Sequence, residues 1–298
     1  MKVVATHDGH FHADEVFAVA IMRLIYPKVC YVRTREPELY KKADVRIDIG
    51  GRYDPRSGDF DHHQIGRAGM RPNGIPYASS GLVWKQFGKR LAHNRVVRDR
   101  IDERVIQGID AGDNGVSSFT VRSARPYTLF EVIDSFNEEW VRGRMTQEAA
   151  FRDALAFACG LLAREIRAAE YYVKSRSVLM ALIRIAKRSG SRFIVLRDYK
   201  IPWQEVVIEK SDLLYVVYPG SSRRDWRVRV VPMSMNGFRS RATLPMAWAG
   251  LKGQALARVT GVGDAVFCHT GRFIAGAESR QGAIRLAEIA VQSLEKRR

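Results

Sequence analysis

Five of the seven histidines, His7, His10, His12, His62 and His63, fall within the first 63 residues, in two tight clusters. Carboxylates accompany each cluster: Asp8, Asp14 and Glu15 in the first, Asp59 and Asp61 in the second. The first cluster follows the β-branched run Lys2–Thr6, which reads as a buried strand. It leads into Asp14–Ile25, where apolar residues recur at helical spacing and stop before Pro27. Val29–Arg33 and Val45–Ile49 are two further strand candidates. Strands alternating with helices predict an α/β domain with a largely parallel sheet. In such a sheet ligands sit beyond the carboxyl ends of the strands, which is where His7 and Asp48 fall.

Ser79 or Ser80 is placed to cap a helix running to about Leu91. Val97, Ile101, Val105 and Ile109, four residues apart, predict another helix that runs up to Asp110. From about Thr146 to Lys187 the chain is nearly free of Gly and Pro and reads as one long helix or two abutting ones, ended by Ser189-Gly190-Ser191. Beyond it, Phe193–Leu196, Leu213–Tyr218, Trp226–Pro232 and Ala265–His269 read as strands and Ser279–Glu295 as a closing helix. At 298 residues the chain is long enough for two cores. The expected organisation is a catalytic domain over residues 1–188, connecting helix included, and a smaller C-terminal α/β domain over 189–298.

Clusters of His mixed with Asp call for a metal. Three imidazoles with three carboxylates suit two divalent ions about 4 Å apart, sharing a carboxylate and a bridging water. The candidates are His7 or His10, His12, Asp14, Asp48, His62, and Asp110 or Asp113. A donor set of N and O without thiolate favours Mn²⁺ or a related ion, with Mg²⁺ the second option. Asp48 and His62 are the ligands on which catalysis would depend, and His63 would contact the phosphate or protonate the leaving oxygen. In Asp48-Ile49-Gly50-Gly51 the glycines let the backbone pass close to the site.

Forty-nine Lys and Arg against thirty-two Asp and Glu give a net charge of +17, which points to a polyanionic partner. The excess is Arg-rich, as in the run Ser221 to Arg229. No run of about 18 apolar residues occurs, so no membrane partner is expected. The start Met1–His7 is too quickly polar for a secretory signal, and the three cysteines form no pair at metal-binding spacing. A cytoplasmic setting is the expectation. The sequence leaves the oligomeric state open, a homodimer among the options.

Asp61-His62-His63 matches the signature of the DHH phosphoesterase superfamily. The fuller pattern resembles one branch, the melanocyte-proliferating-gene family of RNA exonucleases, also labelled metal-dependent protein hydrolases. The resemblance rests on residues 6–15, Asp48-Ile49-Gly50-Gly51, Tyr53-Asp54-Pro55, Asp61 to Gln64, Ser79 to Leu82, Asp113-Asn114-Gly115 and residues 269–283, so it covers nearly the whole chain. It implies a DHH-type N-terminal domain, with His7 rather than His10 and Asp110 rather than Asp113 as ligands. It also implies a C-terminal domain that grips the substrate, with His269, Gly271, Arg272 and Arg280 as substrate-binding residues near a helix opened by Ser279. Exonuclease action in the 3′→5′ direction on single-stranded RNA or short oligonucleotides comes from this resemblance. The alternatives are a phosphohydrolase for small nucleotides or pyrophosphate, and a non-catalytic RNA-binding protein on a relict site. Nothing in the sequence resembles H-E-x-x-H or a Ser/His/Asp arrangement, so protein hydrolysis is not expected.

Overall fold

The computed structural model describes residues 2–116, 119–120, 124–221 and 225–295. The basic run from Ser221 to Arg229 therefore lies partly outside the described residues, at 222–224. The chain divides into two compact units, Met1–Glu170 and Tyr171–Arg298.

The first unit opens with β1 (Val3–Thr6), α1 (Ala13–Ile25), β2 (Cys30–Arg33), the short α2 (Pro37–Tyr40) and β3 (Val45–Ile47). The two-residue strands β4 (Tyr53–Asp54) and β5 (Asp59–Phe60) follow, then α3 (Ser79–Leu91) and α4 (Arg95–Ile101). A π-helical turn, Asp102–Ile106, joins α4 to α5 (Gln107–Asp113); then come α6 (Leu129–Val141) and α7 (Gln147–Ser189). Sheet order is β2-β1-β3-β5-β4. β1 is parallel to β2 and β3, β3 is parallel to β5, and only β4 runs antiparallel. The largely parallel sheet read from the sequence is what the chain forms.

Burial explains why the platform is firm. Every residue of α1 from Ala13 to Met22 is buried, and the helix packs on α3. With Val4, Ala5, Ile47 and Phe60 it forms an apolar layer under the strand ends. Each large side chain so enclosed contributes roughly 1.5–3 kcal/mol. Asp14 and Glu15 are buried in the first turn of that helix, so both acids are held inside a rigid element.

The second unit contains β6 (Phe193–Val195), α8 (Gln204–Lys210), β7 (Tyr215–Pro219), β8 (Trp226–Val230), α9 (Gly253–Thr260), β9 (Ala265–Cys268), β10 (Ile274–Ala277) and α10 (Arg280–Glu295). Its sheet order is β6-β7-β8-β10-β9, with β6 parallel to β7 and the remaining pairs antiparallel. Alternate residues of β7 serve two cores, as a period of two requires. Tyr215 and Val217 face Leu286, Ala287 and Ala290 of α10. Val216 faces Leu179, Ile183 and Ala186 of α7. The long helix is a single one of 43 residues, and the division between the units falls inside it rather than at its end.

Candidate metal centre

The sheet brings three chain-distant side chains to one edge. His7 directly follows β1, Asp48 directly follows β3, and His62 follows β5, all at the carboxyl ends of parallel neighbours. From β1 the chain goes first to β2 on one side and then to β3 on the other. The edge between β1 and β3 is therefore the topological switch point, where open α/β sheets hold ligands. Asp48 ends its strand in a left-handed conformation, φ 55°, and Gly50 and Gly51 continue at φ 96° and 64°. A non-glycine residue held there is uncommon and marks a site where the surroundings impose the geometry. This turn is also why β3 stops at Ile47, two residues short of the predicted strand end.

Asp61 ties that turn to the histidine pair. Its Oδ2 accepts from the Gly51 N–H at 2.6 Å, while Oδ1 accepts from the His63 backbone N–H at 3.0 Å. The first cluster is fixed from the other side. Asn137 of α6 donates to the Phe11 carbonyl at 2.8 Å and accepts from the Phe11 N–H, and Arg33 donates to the Gly9 carbonyl. Phe130 of the same helix stacks on His12. Helix α6 is absent from the elements the sequence pattern predicts, yet it clamps the loop that carries the candidate ligands His7 and His12.

Asp48 sits at the middle. Its Oδ2 lies 3.3 Å from His7 Nε2, and its Oδ1 lies 3.4 Å from His62 Nε2 and 3.2 Å from His63 Nδ1. His7 Nε2 is also 3.1 Å from Glu15 Oε1, and His62 Nε2 is 3.1 Å from Asp113 Oδ2. Four overlapping trios offer ligand atoms within 4.8 Å of one another: His7-His12-Glu15, Asp48-His62-His63, His12-Asp14-Asp113 and Asp14-Glu15-Asp48. His7, His12, Asp48, His62, His63 and Asp113 line a cleft of about 760 Å³ that also holds Arg35 and Arg67, with Asp14 and Glu15 buried behind them.

Acids and imidazoles in this cluster shift one another strongly. Burial raises the Asp14 carboxyl well above its ordinary range, and the nearby Asp48, Asp113 and Glu15 carboxylates push it further. Burial works the same way on Asp48, but His62, His63 and His7 overcome it and hold that carboxyl well below its usual value. Burial lowers His7, yet the Asp48 and Glu15 carboxylates outweigh it and take the imidazole up to about 10. Burial likewise lowers His62, but Asp113 and Asp48 lift it to about 10. His63 is raised to about 9, first by Asp48 and, against burial, by Asp61. Protons on these histidines thus occupy the role that cations would take among four acids.

The donor set fits divalent metal. Asp14 Oδ1, Glu15 Oε2 and His62 Nε2 are buried and make no well-directed hydrogen bond. Buried polar atoms left so are rare, and a ligand bond is one of few ways to satisfy them. Imidazole nitrogen with carboxylate oxygen and no sulfur suits Mn²⁺ and its neighbours.

Of the residues singled out in the sequence, His7, His12, Asp14, Asp48, His62 and His63 come together here. Asp110 does not. Its Oδ1 accepts from Ser80 Oγ at 2.6 Å and the Gly81 N–H at 3.0 Å, and its Oδ2 accepts from Arg71 at 2.5 Å. Asp113 reaches the cluster instead. Glu15, named in the sequence only as a neighbouring acid, accepts from the His12 N–H at 2.8 Å and faces His7. His10 is half-exposed and pairs with Asp134. The expected serine cap is also replaced: Ser79 Oγ donates to Asp48 and Ser80 Oγ to Asp110, while Ala78 takes the cap position.

The second unit places its four candidates differently. Gly271 and Arg272 line a cleft, whereas His269 Nδ1 accepts from the Gly271 N–H at 2.9 Å and its ring packs on Phe273. Arg280 is exposed. The start of α10, near which the resemblance places substrate, already holds an anion: Asp264 Oδ2 accepts from the Ser279 N–H at 2.8 Å, and its carboxylate fills the space beside Gly282.

Fold and cluster together define an α/β protein with a histidine–carboxylate centre suited to divalent metal at its switch point. The family model for MYG1 exonucleases, described as uncharacterised protein family UPF0160, matches residues 3–291. The chain belongs to that family, as its motifs imply. The MYG1 exonuclease of Mus musculus is 30% identical over 321 residues, covering 95% of this chain and 83% of the mouse protein. That of Homo sapiens is 30% identical over 322 residues, covering 95% and 84%. A MYG1 protein of Caenorhabditis elegans is 28% identical, covering 98% and 95%. Among solved structures, RecJ of Thermus thermophilus in complex with Mn²⁺ aligns at a TM-score of 0.29 and 17% identity, over 98% of this chain and 52% of RecJ. The pGpG-specific phosphodiesterase PggH from Vibrio aligns at 0.34 and 10%, over 99% and 98%. Both likenesses are too distant to bear on the site. No helix among the described residues is long and apolar enough to cross a membrane.

Proposed function

We propose that the chain is a metal-dependent phosphodiesterase that removes nucleotides from the 3′ end of single-stranded RNA. The observation that carries the hydrolytic reading is Asp48, ionised and central among His7, His62 and His63 at an open cleft. His7, His12, Asp14, Asp48, His62 and Asp113 would hold two divalent ions, Asp113 taking the place that the motif resemblance gives to Asp110. Bound there, such ions supply Lewis acidity toward the phosphodiester and an activated water for attack.

The chain's own groups do the rest. Arg35 and Arg67, which line the cleft, meet the phosphate oxygens; a guanidinium fork suits them. Arg35 is held in place by Asp8 at 3.3 Å. His63 Nδ1 is engaged by Asp61 at 2.8 Å, which leaves Nε2 to hold a proton in the cleft and pass it to the leaving oxygen. The Ser79 hydroxyl, donating to Asp48, fixes the orientation of the shared carboxylate. Support for exonuclease action is family membership, and support for RNA and for polarity is the motif resemblance.

The test is degradation of a 5′-labelled single-stranded RNA with Mn²⁺, Mg²⁺ or chelator, for wild type, Asp48→Ala and His62→Ala. A metal-dependent ladder of shortened products, lost in both variants, is the expected result. Intact RNA beside cleavage of a dinucleotide or pyrophosphate would replace this reading with a small-substrate one.

A further inference from the structure

The second unit carries a cleft of about 590 Å³ whose lining includes Arg229, Met235, Phe238, Arg272 and Phe273 and contains no acidic residue. On one wall Arg229 projects from β8, without a carboxylate partner among the described residues. Arg272 stands close by in a left-handed conformation, φ 56°, its Nη1 donating to Thr243 Oγ1 and the Leu244 carbonyl. Those bonds use one nitrogen of a five-donor fork, and the rest of the charge is unanswered.

The other wall is a loop between Pro232 and Ser240, which are bridged, with the Met233 N–H bonded to the Arg239 carbonyl at 2.8 Å. Its base is pinned by Arg241, which donates to the Ile208, Ser211 and Leu213 carbonyls. Its tip is apolar: Met233 and Met235 are more than half exposed, and Phe238 is fully exposed. A large aromatic ring held in water on a braced loop gains nothing for folding, so it is there to be covered.

Resting on the phosphodiesterase reading above, we infer that this cleft is a stacking subsite for single-stranded nucleic acid. Bases lie on Phe238 and Phe273 while Arg229 and Arg272 take the flanking phosphates. Every nucleobase offers a π-face, and every nucleotide one negative charge, so the pairing of exposed aromatics with unpaired arginines matches a strand without selecting its sequence. A lipid surface would also accept apolar side chains with cations. The net charge of +17 and the arginines within the cleft, rather than lysines around its rim, favour the polyanion strand. The consequence is a preference for oligonucleotides over dinucleotides, because a longer strand offers more bases and phosphates to the two aromatics and two arginines of this cleft.

Fluorescence anisotropy of the full chain in chelator, with a labelled 12-mer oligouridylate and a labelled diuridylate, tests this apart from catalysis. Wild type should bind the 12-mer more tightly. Phe238→Ala should weaken 12-mer binding about tenfold, Phe238→Trp should restore it, and Arg229→Gln should lower the salt slope by about 0.7. Unchanged thermal melting of these variants would show that folding is intact, since the Phe238 ring is exposed. Wild-type 12-mer affinity in both Phe238→Ala and Arg229→Gln overturns the inference. So does loss of binding to phosphatidylserine vesicles in Phe238→Ala with 12-mer binding intact. If Phe238→Ala weakens binding while no phosphodiester is cleaved by wild type, the subsite stands and the hydrolytic reading falls.

Discussion

Loading the centre with Mn²⁺ should expel protons, and the structure says how many. In the metal-free chain His7 and His62 are held up to about 10, so both are protonated at neutral pH. A divalent ion takes neutral imidazole, so each must give up its proton on binding. That is two protons per chain, before any contribution from Asp14, which is raised well above its ordinary range. By linkage the apparent affinity then rises about 100-fold per pH unit between about pH 7 and 9, flattening as pH approaches the imidazole values near 10. The same shifts act on the metal-free fold with a definite sign. A histidine whose folded value is raised stabilises the chain below its unfolded value near 6.5, and that stability is lost as pH climbs toward about 10. Metal-free protein should therefore melt progressively lower from pH 8 to pH 10, while Mn²⁺-loaded protein should not. Titration calorimetry in two buffers of different ionisation heat counts the protons directly. Release of fewer than one proton per chain at pH 7.5, or affinity that is flat with pH, would refute the electrostatic account of the cluster.

Asp113→Asn should abolish tight Mn²⁺ binding with little change in folding. Asp110→Asn should leave binding within a few-fold but destabilise the chain by roughly 2 kcal/mol, since it removes the charge of the fully buried one of the two carboxylates that hold Arg71; calorimetry and denaturant melts separate the two. Gly81→Ala puts a Cβ 1.9 Å from Asp110 Oδ2 and 2.8 Å from Arg71 Nη2, and should cost about 2 kcal/mol in chemical denaturation; a change within about 0.5 would contradict the packing argument. Asn137→Ala strips both backbone partners from buried Phe11 and frees the loop that carries His12. It should cost about 2 kcal/mol and weaken Mn²⁺ binding at least tenfold; unchanged Mn²⁺ affinity would show that the clamp is irrelevant to the metal site.

Much of the centre was legible because its ligands sit beside strands, where position along the chain fixes position in space. His7 and Asp48 each abut a strand end, so a parallel sheet brings them together whatever the loops do. The strand and helix pattern was legible for the same reason: short β-branched runs and long Gly-free stretches report their own periodicity. What was not legible depends on partners remote in sequence. His7 and His10 are three residues apart, and the residues alone leave the choice between them open. Remote partners separate them: Glu15 and Asp48 face His7, while Asp134, from a helix that local pattern did not reveal, takes His10. Unit 2 repeats the lesson: the resemblance places substrate near the helix opened by Ser279, but Asp264, fifteen residues before Ser279, supplies an anion to that helix start from within the chain.

The choice between Asp110 and Asp113 turns on helical phase. Val97, Ile101, Val105 and Ile109 read as one stripe of a single helix that runs up to Asp110, and the motif resemblance implies Asp110 rather than Asp113 as the ligand. The chain instead inserts a π-helical turn at Asp102–Ile106, whose i→i+5 bonding adds a residue to the turn and rotates everything beyond it. Asp110 faces the start of α3, where Ser80, Gly81 and Arg71 satisfy it, and Asp113 at the end of α5 lies beside His62. Arg71 also pairs with Asp102, the first residue of that π turn, at 2.9 Å. One buried guanidinium thus braces the irregular turn and neutralises the acid that lies outside the centre. This makes Asp110 a support for the candidate ligand three residues on.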